Sequence, residues 1–152
     1  MPFAPDSFDG ACCFYVGMNL PEKSSVLREA ARVLKPGARA VWTEVTILEG
    51  DPHYPLPWSK TPQTSHLLGR EALLDRIRAA GFEILSVEDE SDAHLDLARK
   101  MKEQAVAPAP AQHEANQVVL GEGFAERRKN YLRNLSEGRL ASTMILARKP
   151  AG

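Results

Sequence analysis

A chain of 152 residues suits one domain with a moderate core, and 43% hydrophobic with 26% charged residues is ordinary for a soluble globular protein. With 19 basic against 20 acidic residues the net charge is −1, which gives no electrostatic reason to expect a nucleic-acid partner; Arg127-Arg128-Lys129 reads as a solvated helix face. No apolar stretch approaches the roughly 18 residues of a membrane span, and the N-terminus lacks the basic and apolar regions of a signal peptide. No membrane association and a cytoplasmic location are therefore expected.

The first element expected is a strand. Ala11 to Gly17 is an unbroken apolar run, the pattern of a strand buried on both faces of a parallel sheet. The only cysteines, Cys12 and Cys13, are neighbours in that run. Adjacent strand residues face opposite ways, so a disulfide between them is geometrically poor, and two buried thiols fit a reducing compartment. Pro21, whose fixed φ suits the first helical position, opens a helix over 21–34 with Val26, Leu27, Ala30, Ala31 and Leu34 on one stripe. Lys35-Pro36-Gly37 stops it, and 38–48 follows as a second strand rich in β-branched residues. Strand, helix and strand in so short a span make a βαβ unit, which requires a parallel pair and a right-handed crossover.

Pro52, Pro55, Pro57 and Pro62 keep residues 49–69 irregular. A loop of that length inside a domain is usually functional or mobile. A helix over 70–80 presents Leu73, Leu74 and Ile77, with Gly81 as a left-handed cap that lets Phe82 pack back on the last turn. "FEILSVED" is a third strand. Residues 93–106 read as a helix with Leu95, Leu97, Ala98 and Met101 on one side. "AVAPAPAQ" at 105–112 is a Pro/Ala linker, and 121–136 is a second amphipathic helix with Phe124, the stem of Arg128, Tyr131, Leu132 and Leu135 on its stripe. After a break at Gly138, "RLASTMILARK" closes the chain as a fourth strand. The alternation argues an α/β fold.

No local signature names a reaction. There is no G-x-S-x-G elbow, no P-loop and no G-x-G-x-x-G fingerprint. His53, His66, His94 and His113 lack the close spacing of metal ligands, and His94 and Asp96, two apart on a helix, point to different sides. No metal site is expected.

Three segments in order, "MPFAPDSFDGACCFYVGMNLPEK", "LREAARVLKPGARAVWTEV" and "LLDRIRAAGFEILSVED", resemble the class I S-adenosylmethionine-dependent methyltransferases. The likeness is nearest to the small-molecule branch of the quinone, tocopherol and sarcosine methylating enzymes. "NYLRNLSEGRLASTMILARKP" resembles the last helix and antiparallel seventh strand of that family. The resemblance spans nearly the whole chain, but only the family's C-terminal half. It implies a Rossmann-like sheet of three parallel strands and a final antiparallel one, with helices on its faces. Residues 1–152 are expected to form one truncated domain, with 49–69 as a substrate-side loop and 92–137 as a helical insertion before the last strand.

The family grips its cofactor mainly through a glycine-rich turn after its first strand and acidic residues after its second and third. None of these is present, and Ala38 replaces the second glycine of the usual turn before the fifth strand. By resemblance, one wall of the S-adenosylmethionine pocket remains, with Phe3 near the adenine and Phe14 and Tyr15 near the methionine end. Met18 and Asn19 would face a small-molecule acceptor, as would Tyr54 and Trp58 in the loop and Tyr131 in the last helix. His66 is the candidate general base for an oxygen or nitrogen nucleophile. Asp9 is expected to serve the turn into the strand. If the chain stands alone, its first strand becomes an apolar sheet edge, which invites a homodimer or a partner completing the sheet. Two functions follow: methyl transfer to a small organic acceptor as a fragment of a longer enzyme, or a non-catalytic remnant acting as an interaction or assembly module.

Overall fold

The expected βαβ unit opens the fold in a computed structural model that describes residues 1–103, 121 and 123–151. Strand β1 (Phe8–Phe14) pairs in parallel with β2 (Leu34–Ile47), and helix α1 (Lys23–Val33) crosses between them. The Lys35-Pro36-Gly37 turn does not separate helix from strand, as the sequence suggests. β2 begins at Leu34, opposite Phe8, and the turn is absorbed as a register shift before Gly10 pairs with Arg39. Gly37 makes this possible: its φ is 82°, a conformation that favours glycine, and its N–H donates to the Lys149 carbonyl at 2.8 Å.

The loop after β2 is less irregular than its prolines suggest. Leu68–Gly69 forms a short strand, β3, paired in parallel with Thr46 and Ile47. Helix α2 (Arg70–Ala79) follows, and Gly81, at φ 97°, turns the chain into β4 (Glu83–Asp89). Helices α3 (Ser91–Glu103) and α4 (Phe124–Ser136) precede β5 (Leu140–Arg148). The linker expected at 105–112 lies outside the described residues.

The sheet order is β1-β2-β5-β4, with β5 antiparallel to both neighbours. β1, β2 and β4 therefore run one way and the last strand in sequence runs against them, which is the expected arrangement. One face packs Ala40, Trp42, Ile145 and Ala147 against Leu27 of α1 and Leu73, Leu74 and Ile77 of α2. Phe82 returns to this core edge-on to Trp42, with ring centroids 5.0 Å apart. On the other face Val45 and Leu140 meet Met18, Leu56 and Leu135.

Three expectations about burial are corrected. The Ala11–Gly17 run is not buried on both faces. Every residue of β1 but Cys13 is exposed, because only β2 borders the strand among the described residues. Cys12 is accordingly exposed and Cys13 half-buried. On α3, Leu97 and Met101 face outward, while His94, Leu95 and Ala98 turn toward the protein. The Arg128 side chain on α4 is exposed and Val26 on α1 is 41% exposed, so each helix stripe is narrower than its apolar spacing suggests. No described helix is long and apolar enough to cross a membrane.

Candidate functional site

Because β1 and β2 are parallel, their carboxyl ends lie at one edge of the sheet, the edge where α/β sheets bind ligands. The chain turns sharply there. Tyr15 holds a φ of 53°, and a non-glycine residue in that region costs about 1–3 kcal/mol. Its N–H donates to the Thr43 carbonyl at 2.8 Å, and a single 3-10 turn, Gly17–Asn19, follows.

A buried ion pair holds this turn from below. The Lys23 ammonium donates to the Gly17 carbonyl and lies 3.6 Å from Glu44 Oε2, with both side chains buried. Burial pushes the Glu44 carboxyl up and the Lys23 ammonium down, and the attraction of each for the other opposes the shift. Gly17 fits because it has no side chain: a Cβ there would run into the Glu44 carboxylate.

Above the turn opens a cleft of about 320 Å³. Met18 and Val45 come to it from the sheet edge, Pro57 and Trp58 from the proline-rich loop, and Phe124 and Tyr131 from α4. Tyr15 and His94 supply its polar rim. The Tyr15 hydroxyl lies 2.9 Å from His94 Nε2 and 3.0 Å from Ser142 Oγ, and the Tyr131 hydroxyl lies 3.2 Å from His94 Nδ1. The imidazole thus sits between two phenols, one at each ring nitrogen. Burial pushes both tyrosine hydroxyls well up, with the Glu90 carboxylate adding to the effect at each. They stay protonated at neutral pH.

The loop that carries Trp58 is held by α4. Asn134, fully buried, accepts from the His53 N–H at 2.8 Å and donates to the His53 carbonyl at 2.9 Å. Asn130 donates to the Pro55 carbonyl, and Glu137 lies 2.7 Å from the His53 ring. Trp58 is oriented by its indole N–H, which donates to Ser65 Oγ at 3.0 Å, and it meets Tyr131 edge-on at 6.0 Å.

Of the residues expected at a site, Tyr15, Met18, Trp58 and Tyr131 are brought together in this cleft. Tyr54 packs against the same apolar cluster but does not line the opening. Asn19 is exposed, its amide donating to the Val16 carbonyl. His66 is tied in through its backbone, donating to the Met18 carbonyl at 2.9 Å, and its ring is not on the cleft wall. Phe14 is exposed at the carboxyl end of β1, next to Tyr15, whereas Phe3 meets Phe8 edge-on at 5.0 Å at the amino end of the strand and is not on the cleft wall. His94, Phe124, Val45 and Pro57 line the cleft without having been expected there. His94 was legible in part, since it lies next to Leu95 and four residues before Ala98 on the inward face of α3.

A family model described as a methyltransferase domain matches residues 1–42. The O-methyltransferase resE of Aspergillus sclerotiorum is 27% identical over 112 residues, covering 70% of this chain and 41% of the relative. Among solved structures, the [4+2]-cyclase SpnF superposes with a TM-score of 0.68 at 29% identity, covering all of this chain and 53% of that one. The geranyl diphosphate C-methyltransferase of Streptomyces coelicolor A3(2), solved with S-adenosyl-L-homocysteine, gives a TM-score of 0.72 at 14% identity, a likeness of fold alone, over 98% of this chain and 49% of that one. The chain spans about half the length of these structures, or less of its sequence relative.

Proposed function

The chain belongs to the class I S-adenosylmethionine-dependent methyltransferases, and on that premise we propose that it forms the acceptor-binding part of an enzyme transferring a methyl group to a small organic molecule. The observation that carries this reading is the cleft at the carboxyl edge of β1 and β2. Its apolar wall and small polar rim suit one small molecule. The fold alone does not fix the reaction, since one of the structures it resembles is described as a cyclase.

S-adenosylmethionine, when bound, supplies an electrophilic methyl carbon on a sulfonium, so the protein's task is largely to position and desolvate. By the family resemblance, the residues present would form one wall of its pocket. Phe14 and Tyr15 would meet its methionine end and Phe3 its adenine, and all three are exposed to receive it. Among the described residues, Asp6 is paired with Lys149 and Asp9 with Lys35, and we assign neither to the ribose hydroxyls. The reading is therefore of a part of a longer enzyme, with the unpaired edge of β1 completed by a further strand. The open edge also favours a second reading, an assembly module that keeps the fold without the reaction.

Titration of the chain with S-adenosylmethionine, followed by NMR, tests the first reading. Weak binding in the millimolar range should shift Phe3, Phe14 and Tyr15 and leave the α1/α2 face untouched. No shift at millimolar ligand would remove direct participation in methyl transfer and leave the assembly module.

A further inference from the structure

We propose that Tyr15, His94 and Tyr131 form a proton-accepting triad that selects an uncharged acceptor bearing a hydroxyl on an aromatic or similarly apolar frame. The proposal rests on the methyl-transfer reading and names the acceptor class of the same site.

The first argument is charge. No lysine, arginine or carboxylate stands on the described wall of the cleft. Trp58, Phe124 and Met18 offer apolar and aromatic surface instead. Moving a carboxylate, phosphate or ammonium into such a site without a counter-charge costs far more than moving a phenol or an alcohol. A hydroxyl, in contrast, finds partners among the described lining residues at the rim where the two tyrosines meet His94.

The second argument is the bonding of His94. A neutral imidazole donates from one nitrogen and accepts at the other. Both nitrogens have a tyrosine hydroxyl within 3.2 Å, so one phenol must donate to the ring while the other accepts from it. The donating phenol is in position to pass its proton to the imidazole as it takes one from a hydroxyl in the cleft. Tyr15 also has Ser142 Oγ at 3.0 Å, a further partner that holds the phenol in place while protons move. Because burial keeps both phenols protonated, they act as relays rather than as nucleophiles. The Glu90 carboxylate acts on both phenols and the Asp89 carboxylate on Tyr131, each raising the phenol further.

The step balances. The acceptor oxygen forms a bond to the methyl carbon as the carbon–sulfur bond breaks, and that bond's electron pair returns to sulfur. The O–H proton passes through a tyrosine hydroxyl to His94, which later releases it to solvent. Histidine suits this task because it takes up and gives back protons near neutral pH.

The test needs no cofactor. The chain is titrated with 4-nitrophenol, whose phenolate is read by its absorbance, with 4-nitroanisole and with 4-nitrobenzoate. Nitrophenol should bind in the cleft, shift Trp58 and Tyr131 in NMR spectra, and show a larger phenolate fraction bound than free at the same pH. Nitrobenzoate should bind about tenfold more weakly or worse, equivalent to about 1.4 kcal/mol. His94→Gln should abolish the phenolate excess of the nitrophenol that still binds. Tyr15→Phe, at a partly exposed site that keeps the ring, should reduce the excess and serves if the His94 variant does not fold. An unchanged phenolate excess in both variants, equal affinity for nitrobenzoate, or no nitrophenol binding would overturn the proposal. Failure of the methyl-transfer reading looks different: the phenolate excess persists, but S-adenosylmethionine leaves Phe3 and Phe14 unshifted.

Discussion

β1 and β2 lie side by side in one parallel ladder and are both rich in apolar residues, yet they end in opposite environments. Ala40, Trp42 and Val45 of β2 are buried, whereas Ala11, Cys12 and Phe14 of β1 are exposed. β2 has a strand on each side and helices α1 and α2 over one face. β1 has a strand on one side only among the described residues. The composition of a strand states the environment it needs. Whether that environment exists depends on elements distant in sequence, and here β5, the strand that encloses β2, is the last in the chain.

The largest expected effect breaks that comparison at its closed end. Ile77→Ala removes a fully buried side chain from the α2 face and should cost about 2–5 kcal/mol in urea unfolding. Phe14→Ala on β1, 56% exposed, should stay within about 0.5 kcal/mol. If the two variants cost the same, the open side of β1 is covered in solution, and the strand has found the partner its sequence calls for.

Much of the fold was legible before the structure, for reasons that can be stated residue by residue. Gly81 and Phe82 announced the end of α2, and both act as expected, the glycine at positive φ and the phenylalanine packed on Trp42. The parallel β1–β2 pair followed from two apolar runs with one helix between them. The burial of β1 was not legible in the same way, because a two-sided apolar pattern carries no information about which neighbour supplies the cover. The site was half legible. Aromatic residues in the loop and last helix suggested a lined pocket, and Trp58 and Tyr131 do line one. His94 was passed over because its spacing from Asp96 poses a question about metal ligands. Its real partners, Tyr15 and Tyr131, are 79 and 37 residues away. β3 is too short, at two residues, to leave a periodic signal.

The cleft face sharpens the comparison in a second way, because polar staples hold its loop in addition to the apolar cluster beneath it. Asn134→Ala removes both bonds to the His53 backbone and leaves that N–H without its acceptor. The expected cost is about 1–3 kcal/mol, less than that of Ile77→Ala. Hydrogen exchange at the His53 amide should accelerate while the amides of α2 remain protected. Equal acceleration in both regions would mean that the two faces open as one unit.

The smallest effect concerns the outer staple of the same loop, Glu137. Its carboxylate accepts from Arg139 at 2.8 Å and from Arg133 at 2.7 Å, and lies 2.7 Å from the His53 ring. These partners, Arg139 first, hold its pKa at about 2, below the ordinary carboxylate range near 4.3. A carboxyl depressed in the folded state stabilises it above the unfolded value, and that contribution is lost as pH falls through the folded one. Acidifying from pH 5 toward 2 should therefore loosen the attachment of the loop at His53. Glu137→Gln should already lack that attachment at pH 5 and show a flatter response across the window. Glu29, held at about 2 by Arg32 and the N-terminal ammonium, titrates in the same range but far from the cleft, so the reporter must be the His53 amide rather than global unfolding. Because the group is exposed, the effect should shrink in high salt. The Asn134 and Asn130 bonds involve no ionised group and should not respond to salt, so a loop whose opening is salt-independent throughout would show that Glu137 contributes nothing to holding the cleft wall in place.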